Sequence, residues 1–267
     1  MNVSVAGGSA FAPQIVVTGT NALSAIWYRS NGTNLIVQSS LSADNGATWS
    51  APVNVSVAGG NAEAPQVVVT GTNALSAIWT RSNGTNNIVQ SSSSADNGAT
   101  WSAPVNVSVA GGSAFAPQVV VTGTNTLSAI WYRSNGTNNI VQSSSSADNG
   151  ASWSAPVDVS VAGGDAEAPQ VVVTGTNTLS AIWHRFNGTN TIVQTSTLLA
   201  PVVVPPVVVP PIVAPPELAA TGINEASAVT GIFTVAGLTL LGTVLLLFSR
   251  RRTARTSGFP CKALSSK

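Results

Sequence analysis

Along residues 1–198, short apolar runs alternate with clusters of Gly, Ser, Thr and Asn, and the order of runs recurs. The phrase APQ(I/V)VVTGTN begins at Ala12, Ala64, Ala116 and Ala168, a spacing of 52 residues. Each unit predicts four strands and no helix. In the second copy the first is Pro65–Thr70, a β-branched run closed by a Gly-Thr-Asn turn. Leu75–Arg81 follows, and Asn83-Gly84 then carries the dipeptide signal of a hairpin. Ile88–Ser92 returns as the third strand. In the fourth, Pro104–Val109, Val105, Val107 and Val109 alternate with Asn106 and Ser108, which predicts one buried and one wet face. A unit of this length is too long for a hexapeptide solenoid and suits a four-stranded antiparallel blade of a β-propeller. The expected fold class is therefore all-β, in tandem blades.

Between the third and fourth strands lies the most specific local pattern. It reads Ser42, Asp44, Gly46, Thr48, Trp49 in the first unit and Ser94, Asp96, Gly98, Thr100, Trp101 in the second. The third has Ser146, Asp148, Gly150, Ser152, Trp153, with Ser152 in the Thr position. This resembles the Asp-box, or bacterial neuraminidase repeat, with its pattern Ser-x-Asp-x-Gly-x-Thr-Trp. The resemblance implies a sialidase-like propeller in which the boxes are turn staples at the blade periphery, away from any active site. The residues agree with that role: Asp can accept bonds from its own loop, Gly supplies a positive φ, and Trp fills the layer between strands. One carboxylate per loop is too few for calcium.

The fourth unit stops after Ile192-Val193-Gln194 without a box, whereas Val3-Ser4-Val5 reads as the end of a fourth strand that lacks its first three. Two accounts stand side by side. In one, the N-terminal piece completes the last unit and closes a four-bladed ring, as propellers commonly do. In the other, the chain is a fragment of a longer array.

Composition changes sharply after the repeats. Residues 199–217 are rich in Pro and Val and predict an extended spacer, about 50 Å long over the sixteen residues 201–216 at about 3.1 Å each. Leu218, Ala219, Ala220, Thr221 and Gly222 follow; 226–248 then runs uncharged and long enough to cross a bilayer, and 249–267 is a basic tail opening with Arg250-Arg251-Arg252. The Arg cluster places the tail in the cytoplasm and the repeats outside. This order resembles the cell-wall sorting signal of Gram-positive surface proteins in its Leu-Ala-x-Thr-Gly form. The resemblance implies a sortase-type transpeptidase as partner, cutting between Thr221 and Gly222 and joining Thr221 to peptidoglycan. A plain single-span membrane protein is the alternative, and either way the repeats sit at the cell surface. MNVSVAGGSA has neither the basic start nor the apolar core of a signal peptide, which points to truncation or a misplaced start codon.

Charge narrows the function classes. Ahead of the apolar run stand four Arg, no Lys and nine acidic residues, so no basic patch for nucleic acid is expected. Cys261 is the only cysteine and lies in the tail, which excludes Cys-rich zinc sites and disulfides among the repeats. No cofactor or metal is implied. Sialidases resemble one another in an Arg triad, a Tyr–Glu nucleophile pair and an Asp acid/base. Here Arg29, Arg81, Arg133 and Arg185 recur at one repeat position, so they read as a repeated surface or edge contact. Near-identical repeats lack the asymmetry that a catalytic centre needs. No catalytic residue is expected, and a surface adhesion module binding a glycan or protein ligand is the main reading. A fragment of a surface exo-sialidase is the alternative. Trp27, Trp79, Trp131 and Trp183 read as core, and His184, the only histidine, as drift.

The differences between repeats carry the remaining information. Phe11, Glu63, Phe115 and Glu167 share one position; Tyr28, Thr80, Tyr132 and His184 share another, seventeen residues on, and the two change together. Folding the first two strands about the Gly-Thr-Asn turn places them opposite one another, as four cross-strand pairs. The aromatic members Phe11, Tyr28, Phe115 and Tyr132 are candidates for a ligand edge.

Overall fold

The computed structural model describes residues 1–176 and 178–199, and all their regular structure is β. The spacer, the sorting pentapeptide, the apolar run and the basic tail lie outside the described residues. Fifteen strands form four antiparallel sheets in chain order. The first contains β1 (Ala10–Gly19), β2 (Ala22–Ser30), β3 (Leu35–Ser42) and β4 (Val53–Asn54). The second contains β5 (Ala62–Gly71), β6 (Ala74–Ser82), β7 (Asn87–Ser94) and β8 (Val105–Asn106). The third contains β9 (Ala114–Gly123), β10 (Thr126–Ser134), β11 (Asn139–Ser146) and β12 (Val157–Asp158). The fourth has three strands: β13 (Ala166–Gly175), β14 (Thr178–Phe186) and β15 (Thr191–Leu199).

Each sheet is a meander, with neighbours in sequence paired as neighbours in space. The first hairpin turns at Asn21 (φ 59°), the left-handed conformation that Asn tolerates well. The second turns on Asn31 and Gly32, where the Asn31 carbonyl oxygen of the side chain accepts the Thr33 and Asn34 amides at 2.9 and 2.8 Å. Gly32 has φ +97°, so the Asn-Gly signal marks a real backbone requirement.

The sheets stack through three equivalent apolar layers. Ile26, Val37 and Val55 of the first pack against Ala62, Val67, Leu75, Ala77 and Trp79 of the second. Ile78, Val89 and Val107 meet the third sheet in the same way, and Ile130 and Val141 meet the fourth. Trp27, Trp79, Trp131 and Trp183 are all buried, as core residues.

The fourth strand departs from its expected extent. Its ladder spans only Val105–Asn106, although Val107 and Ser108 remain buried while Val109 is exposed. The reason is a side-chain substitution for the ladder: Ser108 Oγ accepts the Val89 amide at 2.8 Å, so a residue expected to face water turns inward. Ser56 and Ser160 do the same to Val37 and Val141. The fourth sheet does not recruit Val3-Ser4-Val5. Residues 1–9 run beside the first sheet, where the Ser9 carbonyl accepts the Ser30 amide at 3.2 Å, and the swap that would close the ring is not seen.

Candidate functional site

The two ends of each sheet are built differently. At one end lie the first hairpin turn and the Asp-box. Asp44 accepts the Ser42 hydroxyl and the Thr48 amide, each at 2.8 Å, and also the Thr48 hydroxyl. These bonds, the Thr48 hydroxyl foremost, hold its carboxyl at about 2 against an ordinary 3.8. In Asp96 and Asp148 partial burial works to raise the value, but bonds from Thr100 and Ser94, and from Ser152 and Ser146, outweigh it and the net shift is downward. Each carboxylate is thus consumed by its own loop.

The boxes also join neighbouring sheets. Trp101 Nε1 donates to Ser39 Oγ at 2.8 Å, and Trp153 Nε1 to Ser91 Oγ at 2.7 Å. Ser39 Oγ and Ser91 Oγ in turn donate to the Gly98 and Gly150 carbonyls at 3.2 and 3.3 Å. Among the described residues no group of three His, Cys, Asp or Glu side chains is arranged to hold a metal ion.

The opposite end carries the four variable pairs. The strand register sets Phe11 against Tyr28, Glu63 against Thr80, Phe115 against Tyr132 and Glu167 against His184. The aromatic rings meet at centroid distances of 5.4 Å in the first pair and 5.6 Å in the third. Phe11 is exposed, Thr80 is buried, and the other six side chains are half-buried. Both classes of side chain therefore reach solvent at this edge.

A feature of the first strand sets their direction. Ala12, Ala64, Ala116 and Ala168 adopt φ of 46°, 51°, 48° and 49°, a left-handed conformation costly for a residue with a Cβ. Each sits in a bulge between the edge residue and the following Gln, as the register shift between Phe11 and Gln14 shows. Such bulges re-aim a side chain and cluster beside functional sites. Sequence reasoning missed them, although an Ala-Pro pair inside a strand is a usable signal, since Pro within sheets is confined to edges, strand starts and bulges.

Between the second and third sheets the edge encloses a small cavity of about 100 Å³, lined by Asn61, Glu63, Thr80, Asn87 and Phe115. Between the third and fourth, Asn139 Nδ2 donates to Glu167 Oε1, and His184 Nε2 lies 3.4 Å from Glu167 Oε2. Burial, and then the nearby charge of Glu167, push the Tyr132 phenol above its ordinary 10.0. His184 thus belongs to a polar cluster with Glu167, the partner that the joint change of the two repeat positions predicts for it. Arg81 and Arg185 are committed elsewhere: their Nη2 atoms donate to the Ala58 and Ala162 carbonyls at 3.0 and 2.9 Å, bracing the segment that leads into the first strand of their own sheet.

No protein-family model matches this chain, and no curated protein matches it by sequence. Its fold is similar to that of solved carbohydrate-active enzymes. An α-L-arabinofuranosidase of Fusarium graminearum in complex with arabinobiose aligns with a TM-score of 0.54 at 15% identity, covering 74% of this chain and 65% of the enzyme. The Fusarium graminearum α-L-arabinofuranosidase Arb93A with an iminosugar inhibitor gives 0.53 at 15%, covering 70% and 62%. A Hadza microbial sialidase gives 0.52 at 18%, covering 71% of this chain and 46% of the sialidase. The chain thus spans less than two thirds of the length of each, and what it shares with them is the propeller-like all-β architecture.

Proposed function

We propose that this chain is a surface-displayed carbohydrate-recognition module that binds through the edge formed by its four variable pairs. The observation that carries this reading is the edge itself. Aromatic pairs alternate with carboxylate pairs along equivalent ends of four stacked sheets, each aimed by the same strained bulge. Sugars offer apolar C–H faces that lie on aromatic rings and hydroxyls that donate to carboxylates, so such an edge suits them chemically. Several weak contacts spaced along one glycan combine by multivalency. The similarity in fold to solved arabinofuranosidases and a sialidase supports carbohydrate as the ligand class.

The second reading is a glycoside hydrolase. It draws support from the same structural neighbours and from Glu167, which sits beside Tyr132 and His184. Hydrolysis needs a second carboxyl across the scissile bond, roughly 5–9.5 Å away. Asp165, at the same end of the fourth sheet, is engaged by the Asn139 backbone amide at 2.8 Å, and Glu63 stands two sheets from Glu167 with Phe115 and Tyr132 in the intervening positions. The binding reading therefore predicts no release of reporter from aryl arabinofuranosides or sialosides. Turnover abolished by Glu167→Gln would establish the hydrolase instead.

Display rests on residues 218–267, as the sorting resemblance implies. On this reading Thr221 becomes the C-terminus of the wall-linked protein, the transpeptidase and peptidoglycan are its partners, and the membrane holds it only in transit. Mass spectrometry of wall digests should find a peptide ending at Thr221 with added cross-bridge mass. Surface protein that retains an intact Arg250–Lys267 tail would show permanent membrane anchorage.

A further inference from the structure

Among the described residues, both ends of the sheet stack expose apolar side chains that are buried in the other sheets, and the two ends match. Ile182 and Val193 of the fourth sheet are 45% and 74% exposed, while their equivalents Ile26, Ile78 and Ile130, and Val37, Val89 and Val141, are each 0% exposed. At the other end Ile15 is 60% exposed, against 7–8% for its equivalents Val67, Val119 and Val171. Exposed apolar surface of this kind on a folded sheet marks an interaction site. Its partner is defined by the molecule: three internal interfaces show that the face of Ile182 and Val193 packs against the face of Ile15, Ala25 and Trp27.

We propose that this chain associates head to tail, the open face of its fourth sheet receiving the first sheet and the N-terminal segment of a second copy. The polar groups at the two ends match as closely as the apolar ones. Within the chain, Gln38 Nε2 donates to Asn54 Oδ1 at 2.8 Å, and Ser56 Oγ accepts the Val37 amide at 2.9 Å. The equivalent residues are Gln194 and Val193 on β15, and Asn2 and Ser4 at the N-terminus. Among the described residues no strand pairs with the outer edge of β15, where β3, β7 and β11 each carry a short fourth strand, and Met1–Ser4 holds the sequence register to supply it.

Trp49 makes the same point. Trp101 and Trp153 reach a serine hydroxyl on the preceding sheet, whereas Trp49, in the first of the described sheets, donates to its own Gly46 carbonyl at 3.2 Å. Its counterpart acceptor on the fourth sheet is Thr195, which keeps the hydroxyl and points it at the Ala181 carbonyl at 3.0 Å. Met1–Ser4 already lie beside the open face, lining with Trp27 and Trp49 a cleft of about 510 Å³. The contact is heterologous, one end of one copy meeting the other end of the next.

Cysteine cross-linking tests this in the full chain, held in neutral detergent, with Cys261→Ser as background. Asn2→Cys and Gln194→Cys are placed on separate chains, which are mixed and oxidised. The expected result is a disulfide-linked dimer joining residues 2 and 194, found by mass spectrometry and absent when either variant is oxidised alone. Val193→Asp, at a site already exposed, should cut the yield at least tenfold. Val109→Asp, exposed outside both open faces, should leave it unchanged. A mixture that yields no such link overturns the proposal, as does a double variant that closes within one chain as a monomer. Equal loss from Val193→Asp and Val109→Asp overturns it as well.

Discussion

The Asp-box end of each sheet and its opposite edge share one backbone but differ in how they use side chains. At the box end the three boxes agree almost residue for residue, and the Asp and the inter-sheet Trp are paired inside the loop or with the adjoining sheet: Ser94 and Thr100 on Asp96, Trp101 on Ser39. At the other edge the register and the bulge are the same in all four units, yet the side chains change from Phe and Tyr to Glu and Thr or His. A position that varies while its backbone stays fixed is not required by the fold. The boxes therefore maintain the architecture, and the edge, free to vary on that frame, is the surface to which recognition is assigned in the proposed function.

The largest effect should come from removing a box Trp that reaches another sheet. Trp101 packs into the layer between the first two sheets, so Trp101→Ala should lower unfolding free energy by about 3–5 kcal/mol in a urea titration. Trp49→Ala should cost about 1 kcal/mol, because that side chain bonds within its own loop and reaches no other described sheet. Equal losses would erase the distinction between the two tryptophans.

Gly150→Ala comes next. Gly150 has φ +87°, and an added Cβ would lie 2.9 Å from Ser76 Oγ on the preceding sheet. A loss of about 1–3 kcal/mol is expected, with carbohydrate binding retained at temperatures where the variant is folded. Acid should act on the same end. The folded-state carboxyl of Asp44 is depressed to about 2 from 3.8, so its contribution is complete above pH 3.8 and lost as pH falls toward 2. Melting temperature measured by circular dichroism should therefore decline across that window, and Asp44→Asn should flatten the part of the decline due to this group.

The smallest stability effect belongs to the edge. Glu167→Gln keeps an acceptor for Asn139 and should change unfolding free energy by no more than about 0.5 kcal/mol. It should also bring the Tyr132 phenol down toward 10, since Glu167 contributes to its elevation, readable in a spectrophotometric titration. A large destabilisation here would mean that the edge, too, is structural.

Much of this contrast was legible in the residues. The 52-residue phrase marked the units, Asn-Gly marked a hairpin, and the joint change of Phe11 with Tyr28 and of Glu167 with His184 marked strand register before any coordinates. What could not be read was whatever depends on a neighbouring sheet. The alternation through Val105–Val109 suggested a full strand, but Ser108 turns inward to cap the Val89 amide, an arrangement that side-chain polarity alone does not announce. The left-handed Ala residues were hidden because Ala has no preference for that conformation, and only tertiary packing holds it there. Val37 and Val193 stand in the same Ile-Val-Gln context, yet one is buried and the other exposed, because only one has a sheet stacked upon it.

Isothermal titration of the chain with arabino- and sialo-oligosaccharides tests the central claim most directly, comparing Phe115→Ala and Asp96→Asn with the parent. The edge variant should lose at least tenfold in affinity, about 1.4 kcal/mol, while the box variant, kept below its melting temperature, binds like the parent. Binding that survives Phe115→Ala but fails in folded Asp96→Asn would move the recognition site to the opposite end of the sheets and contradict the account.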